Sequence, residues 1–213
     1  MTYARSSSVL KNPPVEVRER LLATHVAGSR YIFPNLVPPQ GVKWALALAG
    51  REECATDYLV DRAAYPFHVI EYVADGRGTV RFGRGREQKI GAGAVYSYSP
   101  NTKCWMRTDP TAPLVKFFFA VAGTDVSKHL MEARLVVGVV RRLGATVDVL
   151  SIAEDLIREG QRHGPRVSVI CLKLLEILLL KIADAADEVR SGDDRAEENF
   201  MRCKAAIESH AGN

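Results

Sequence analysis

The most informative part of the sequence is the segment FHVIEYVADGRG, residues 67–78. Its first eight residues are mainly β-branched, aromatic or aliphatic, which predicts a strand over 67–74. The run Asp75-Gly76-Arg77-Gly78 follows, and glycines in such a run supply the positive φ angles that tight turns need. The segment therefore predicts a strand, a tight turn and a second strand over 79–82.

Further strands are predicted on both sides of this pair of strands, at 42–49, 58–60, 94–98, 103–107 and 114–121. Turn signals recur about every 8–12 residues, which is typical of a β-sandwich or a small barrel. After Gly123 the apolar pattern becomes helical, with helices predicted at 124–137, 148–161, 165–189 and 200–210. The fold class is therefore mainly β and then α.

The chain divides into four predicted regions. Residues 1–40 are rich in proline and predict an irregular arm, with a short helix over 15–26. Residues 41–123 form the β region and residues 124–190 the helical region. Residues 191–213 begin with a polar, acidic connection and end in the start of another helix.

Composition excludes several classes of protein. The chain has 213 residues, of which 47% are hydrophobic and 25% are charged, and its net charge is +4. This balance is that of a globular protein with a full hydrophobic core. The net charge is too small to indicate by itself that the protein binds nucleic acid. The N-terminus has no apolar segment typical of a signal peptide. Cys54, Cys104, Cys171 and Cys203 form no Cys-x-x-Cys pair, which favours free thiols in a reducing cytoplasm.

The helix over 165–189 is apolar around nearly its whole circumference. Such a helix must be covered on all sides, whereas the β region can cover only one face. A second subunit is the expected cover for the other face, and a neighbouring helix of the same chain is the alternative. The predicted dimer interface consists of Leu172, Leu175, Ile177, Leu178, Leu179 and Ile182.

Glu71 is out of place in an otherwise apolar strand. If it faces inward, its carboxylate needs a cationic partner or a polar ligand, and Arg62 and Lys116 are candidates. Strand alternation places Glu71 on the opposite face from His68 and Tyr72. Both alternations of the strand over 114–121 are apolar, so the sequence leaves open whether Lys116 faces inward or outward.

Aromatic residues with polar tips are concentrated in the β region. A barrel lined by such rings and a few charged groups suits a small polyol or sugar, and an ordinary aromatic core is the alternative. The predicted ligand-binding residues are Arg62, His68, Glu71, Tyr72, Tyr96, Tyr98, Trp105, Lys116 and Phe118. The sequence contains no Gly-x-Ser-x-Gly, Walker or His-x-His motif, so no catalytic residue, metal or cofactor is predicted.

The order of these parts is similar to a known family. Glu-Tyr-Val-x-x-Gly-x-Gly (71–78) and Gly-x6-Pro (93–100) resemble a cupin, and the segment NFMRCKAAIESH (199–210) resembles the first helix of a DNA-binding domain. Together they resemble the N-terminal effector-binding and dimerisation domain of AraC-family transcription regulators. The resemblance implies a cupin-like jelly-roll barrel that binds a small effector, often a sugar, beneath the arm. It also implies that Lys116 and Phe118 stand where the arabinose-responsive member contacts its sugar.

The resemblance implies a homodimer that senses a small molecule, such as a monosaccharide. It places DNA binding in a helix-turn-helix domain that residues 191–213 only begin. Two alternatives remain at this point. One is a metal-dependent cupin enzyme acting on a sugar or small acid, and the other is a dimerisation module that binds no ligand.

Overall fold

The structure is a computed structural model that describes residues 13–144 and 146–186. Its strands are β1 (Val26–Ile32), β2 (Ala45–Cys54), β3 (Leu59–Arg62), β4 (His68–Asp75), β5 (Arg77–Phe82), β6 (Gln88–Gly91), β7 (Ala94–Tyr98), β8 (Cys104–Thr108), β9 (Val115–Ala122) and β10 (Arg141–Arg142). Its helices are α1 (Val15–Leu21), α2 (Val126–Glu132), α3 (Val147–Gly160) and α4, which occupies residues 167–186.

The strands form two antiparallel sheets. One has the order β1-β2-β9-β4-β7-β10 and the other has the order β3-β8-β5-β6. The tight turn between β4 and β5 carries the chain from one sheet to the other, because β4 pairs with β7 and β9 while β5 pairs with β6 and β8. This is the jelly-roll arrangement expected from the sequence, and the space between the sheets is called the barrel interior below.

Two glycines lie at turns where another segment of the backbone passes too close for a side chain. Gly76, between β4 and β5, has φ +82°, and a Cβ atom there would lie 2.1 Å from the carbonyl oxygen of Pro113. Gly123, after β9, has φ +138°, and its Cβ would lie 2.2 Å from the carbonyl oxygen of Lys43. Both positions therefore exclude any side chain.

Two hydrophobic clusters lie on opposite faces of the six-stranded sheet. One fills the barrel interior and includes Leu48, Val73, Tyr96 and Met106. The other packs the outer face of the sheet against the helices. The strands of this sheet are consequently buried on both faces, which explains why β9 is apolar in both alternations.

The elements agree with the sequence predictions in type, and the strand over 94–98 matches β7 in both bounds. The prediction of an irregular arm over 1–40 was wrong in part, because residues 26–32 form β1 and pair with β2. The predicted helix over 15–26 was too long, since α1 ends at Leu21. Strands β6 and β10 were not predicted. The predictions for residues 1–12 and 187–213 lie outside the described residues.

Helix α4 packs against the core of its own chain through four of the six residues predicted for a dimer interface. Leu175, Leu178, Leu179 and Ile182 are buried there. Leu172 is half-buried and Ile177 is 45% exposed. The same-chain alternative therefore accounts for one face of α4. Among the described residues, no helix is both long and apolar enough to cross a membrane.

Candidate functional site

The alternation of β4 directs its acidic residue into the barrel. Val69 and Val73 belong to the interior cluster, whereas Ile70 and Tyr72 belong to the cluster beneath the helices. Glu71 shares the face of Val69 and Val73 and is 4% exposed. An ionised carboxylate at such a depth requires compensating partners.

Cross-strand register brings those partners together. Lys116 of β9 lies directly opposite Glu52 of β2. On the other side of Lys116, Glu71 of β4 lies diagonally across, because Lys116 pairs with Val73, two residues further along β4. The Lys116 Nζ is 2.9 Å from the Glu52 Oε2 and 2.9 Å from the Glu71 Oε2. One buried ammonium group therefore bridges two buried carboxylates.

Four tyrosine hydroxyls also donate hydrogen bonds to the two carboxylates. Tyr31 donates to the Glu52 Oε1 at 3.0 Å, and Tyr58 donates to the Glu52 Oε2 at 3.1 Å. The hydroxyl of Tyr96 donates to the Glu71 Oε2 at 3.1 Å, and that of Tyr98 donates to the Glu71 Oε1 at 3.3 Å. We refer to Glu52, Glu71, Lys116 and these four tyrosines as the interior polar cluster.

The cluster sets the protonation of its members. Burial disfavours the charged form of Lys116, but Glu52 and Glu71 outweigh burial and hold the pKa of the ammonium well above its usual value. Burial and the nearby carboxylates raise the pKa of the Tyr96 hydroxyl well above its usual value, so that it remains a donor. Burial also raises the pKa of the Cys54 and Cys104 thiols to about 12.

These raised pKa values predict that the protein loses stability at high pH. In the unfolded chain Tyr98 and Lys116 lose their protons near about pH 10. The folded chain still holds those protons there, so it binds more protons and the free energy of unfolding falls as pH rises. Urea unfolding from about pH 9 to about pH 11 should show a total decline of about 1 kcal/mol for each such group, with a slope that steepens toward about 1.4 kcal/mol per pH unit at the alkaline end. Tyr98→Phe should make the slope shallower, and a flat profile would contradict this account.

A small cavity lies against the cluster. Its volume is about 20 Å³, and it is lined by Leu21, Ala23, Glu52, Tyr58, Val60, Arg62, Tyr65, Val69, Glu71, Tyr98, Cys104, Met106, Lys116 and Phe118. A water molecule needs roughly 10–15 Å³ by this measure, so the cavity has room for about one. Ligand pockets for drug-sized molecules are typically about 300–1,000 Å³. The interior is therefore closed around its own polar groups in this conformation.

The last residue of α1 and the segment that follows it cover the mouth of the cavity. Leu21 and Ala23 line it from this side, and the Tyr65 hydroxyl donates to the Leu21 carbonyl oxygen at 3.2 Å. Leu21 and Tyr65 also line an apolar groove of about 480 Å³ on the outside of the barrel. These two residues therefore separate the interior cavity from the external groove.

The structure brings five of the nine sequence-predicted ligand-binding residues to the cavity wall. They are Arg62, Glu71, Tyr98, Lys116 and Phe118. Tyr96 belongs to the interior polar cluster behind that wall. The sequence left open whether Lys116 faces inward or outward. In the structure Lys116 is 3% exposed and points into the barrel.

Three of the predicted residues lie elsewhere. Tyr72 packs against Phe117 beneath the helices, with ring centroids 6.2 Å apart. His68 lines a different pocket, next to α2. Trp105 lies on the outer face of the four-stranded sheet, where the guanidinium of Arg81 is 5.3 Å from its ring centroid. Strand alternation separates all three from the cavity.

Sequence reasoning missed Glu52, Tyr31 and Tyr58. The strand predicted over 42–49 stops before Gly50 and so does not contain Glu52. In the structure β2 runs through Gly50, where a Cβ atom would lie 2.5 Å from the Tyr31 ring and 2.6 Å from the Phe118 ring. The alternation Leu48, Gly50, Glu52 continues the inward face and was the available signal.

The described residues contain no group of three or more His, Cys, Asp or Glu side chains that could hold a metal ion. Cys54, Cys104 and Cys171 are free and buried. The polar groups at the cavity are carboxylates, an ammonium, a guanidinium, phenols and the Cys104 thiol. These groups can bind and orient a polar molecule through hydrogen bonds and charge.

Comparison with solved structures shows low similarity. The protein YhaK from Escherichia coli is 14% identical over 46% of this chain and 46% of its own, with a TM-score of 0.39. Hydroxypropylphosphonic acid epoxidase from S. wedmorenis is 11% identical over 34% of this chain and 42% of its own, with a TM-score of 0.32. Vicilin from Corylus avellana (hazelnut) is 13% identical over 51% and 31%, with a TM-score of 0.37. The chain spans less than half the length of each, and these values carry no argument about function.

No curated protein matches the sequence significantly. The model of one family, the AraC-like ligand-binding domain, matches residues 45–193. This range begins with β2, includes every strand that lines the cavity, and extends through the described part of α4. Because the match covers more than half of the chain and the sheets have the jelly-roll arrangement, the protein belongs to the family of AraC-like ligand-binding domains, which have a cupin-like fold.

Proposed function

We propose that this chain is the effector-sensing and dimerisation domain of an AraC-type transcription regulator, and that it binds its effector without chemically transforming it. The observation that carries the proposal is the interior polar cluster. Glu52, Glu71 and Lys116 are each at most 4% exposed. Buried charges cost free energy, and replacing them by apolar residues is often neutral or stabilising. A binding role accounts for their presence better than a stabilising role does.

Effector entry requires the barrel to open, because the closed cavity has room for about one water molecule. Movement of Leu21 and Tyr65 would join the cavity to the external groove of about 480 Å³. The segment that carries Leu21 is held across the mouth by the hydrogen bond from Tyr65. An effector that binds the open form better than the closed form shifts this equilibrium, which is the requirement for a sensor. A monosaccharide, as the sequence predicted, remains a prediction.

A thermal-shift screen tests the proposal with monosaccharides, amino sugars and sugar acids. A ligand at a hundred times its dissociation constant stabilises the folded protein by about 2.7 kcal/mol. Tyr98→Phe removes one hydroxyl from the cavity wall and keeps the ring, so it should reduce the shift. Tyr72→Phe is the matched control, since Tyr72 is equally buried but lies on the other face of β4's sheet. An equal shift in both variants would place the ligand outside the barrel, and no shift from any compound would count against effector sensing.

The homodimer is a further part of this proposal. The exposed face of α4 carries Val169, Ile170, Ile177 and Leu180, which are 40–62% exposed. Ile170, Ile177 and Leu180, together with the charged Lys173, follow the alternating spacing of three and four that forms a seam between paired helices. A second copy of α4 is the partner that we propose for this face. We also propose that the protein acts in the cytoplasm, which is supported by its free cysteines.

A further inference from the structure

The interior polar cluster has unequal charges. It contains two carboxylates, Glu52 and Glu71, and one ammonium, Lys116, all of them buried. Arg62 is the other basic residue that lines the cavity, but it is partly exposed and lies over the ring of Tyr65, 4.7 Å from its centroid. Solvent screens a charge in that position more than one in the interior. The deep end of the cavity therefore has an excess of one negative charge.

The cluster also has fewer free hydrogen-bond donors than free acceptors. Each tyrosine hydroxyl has one proton, and these protons are directed at the carboxylates. Two of the three protons of the Lys116 ammonium are directed at Glu52 and Glu71. The donors in the cluster are therefore almost all used.

Acceptors, in contrast, remain available. A carboxylate oxygen accepts two hydrogen bonds, but the Glu52 Oε1 receives one from Tyr31 and the Glu71 Oε1 receives one from Tyr98. The oxygens of Tyr58 and Tyr98, which line the cavity, each keep lone pairs after donating. At the buried carboxylates, a ligand that brings donors finds partners. The donors left for a ligand that brings only acceptors are the third proton of Lys116 and the guanidinium of the partly exposed Arg62.

From these two imbalances we infer that the effector carries a protonated amine, or another small cationic donor group, which binds against Glu52 and Glu71. The inference rests on the proposed function, since it names the chemical class of ligand for the same cavity. The positive charge offsets the excess negative charge of the cluster, and the N–H groups fill the vacant acceptor positions. A carboxylate or phosphate would instead meet like charge. An amino sugar combines this requirement with the sugar that the sequence predicted.

The test uses matched triplets, each with one carbon skeleton that carries an amine, a hydroxyl or a carboxylate. Glucosamine, glucose and glucuronate form one triplet, and a short alkyl amine with its alcohol and acid forms another. Thermal shifts of the purified chain should show binding of the amine in at least one triplet, at least tenfold tighter than the alcohol, and no binding of the acid. Tighter binding of an alcohol or an acid would overturn the inference even if no variant were made.

A comparison of Glu52→Gln with Glu53→Gln then tests whether the buried carboxylate of Glu52 binds the amine. Both residues are in β2, but Glu53 is on the exposed side, where it pairs with Arg51. Glu52→Gln should weaken amine binding roughly tenfold to a hundredfold, as expected for loss of a charged hydrogen-bond partner, and Glu53→Gln should leave it unchanged. Equal effects would overturn the inference.

These outcomes separate the two proposals. Binding of a neutral or acidic compound that Tyr98→Phe weakens and Tyr72→Phe does not would remove the amine and leave effector sensing in the barrel intact. Absence of binding by every compound in every triplet would count against both.

Discussion

Replacement of Lys116 by methionine is expected to lower the free energy of unfolding by about 3–5 kcal/mol. The change removes the ammonium that lies 2.9 Å from both Glu52 and Glu71 and leaves two buried carboxylates without a counter-charge. Domains have total stabilities of about 5–15 kcal/mol, so this loss is a large fraction of the whole. Urea unfolding monitored by circular dichroism measures it.

The control is Lys128→Met, which removes an exposed ammonium that pairs with Glu132 at 3.9 Å. An exposed pair of this kind contributes less than about 0.5 kcal/mol. The double variant Lys116→Met with Glu71→Gln should recover part of the stability, because it leaves one carboxylate rather than two. A loss below about 1 kcal/mol for Lys116→Met would show that the cluster is hydrated or protonated in solution and would contradict the buried ion pairs.

The double variant Ile177→Glu with Leu180→Glu is expected to weaken the proposed homodimer at least a hundredfold, equivalent to about 2.8 kcal/mol. Both side chains are exposed in the single chain, at 45% and 62%, so the fold of the subunit should be retained. In the proposed dimer, four new carboxylates would face one another across the α4 seam and lose their solvation. Sedimentation equilibrium measures the dissociation constant.

A matched control places the same two changes away from α4. Val136→Glu with Val139→Glu alters residues that are 60% and 43% exposed, in the segment after α2. This variant should sediment like the original protein. If the α4 variant remains dimeric while it is folded, the interface lies elsewhere. If the original protein is monomeric at all accessible concentrations, the dimer proposal is wrong.

Local patterns in the sequence were sufficient for the sheet and helix types. The strand alternation of residues 67–74 and the glycines after it predicted β4 and its turn to β5, because side-chain period and positive φ are properties of the local chain. The same reasoning ended β2 at Gly50, because glycine usually weakens a strand. At this position the rings of Tyr31 and Phe118 occupy the space of a side chain, and Tyr31 belongs to a strand that was not predicted.

The site was predicted in part. Glu71 was identified as a buried acid that needs a partner, and Lys116 was one of the two candidates. The face of Lys116 could not be derived, because both alternations of β9 are apolar and both faces of the central sheet are buried. The apolar circumference of α4 was equally ambiguous, and its own chain covers the face that contains Leu175 and Leu178.

The sequence by itself therefore determined the order of most of the elements and the presence of a charge that requires a partner, and its resemblance to a known family indicated the jelly-roll class. Only the tertiary structure decided which charges meet. Glu52 and Lys116 are 64 residues apart in the chain and become direct neighbours through the register of β2 and β9. Register depends on the pairing of distant strands, and a shift of one residue would exchange the interior face for the exterior one. The excess of carboxylates in the cavity, on which the predicted amine specificity depends, arises from that long-range pairing.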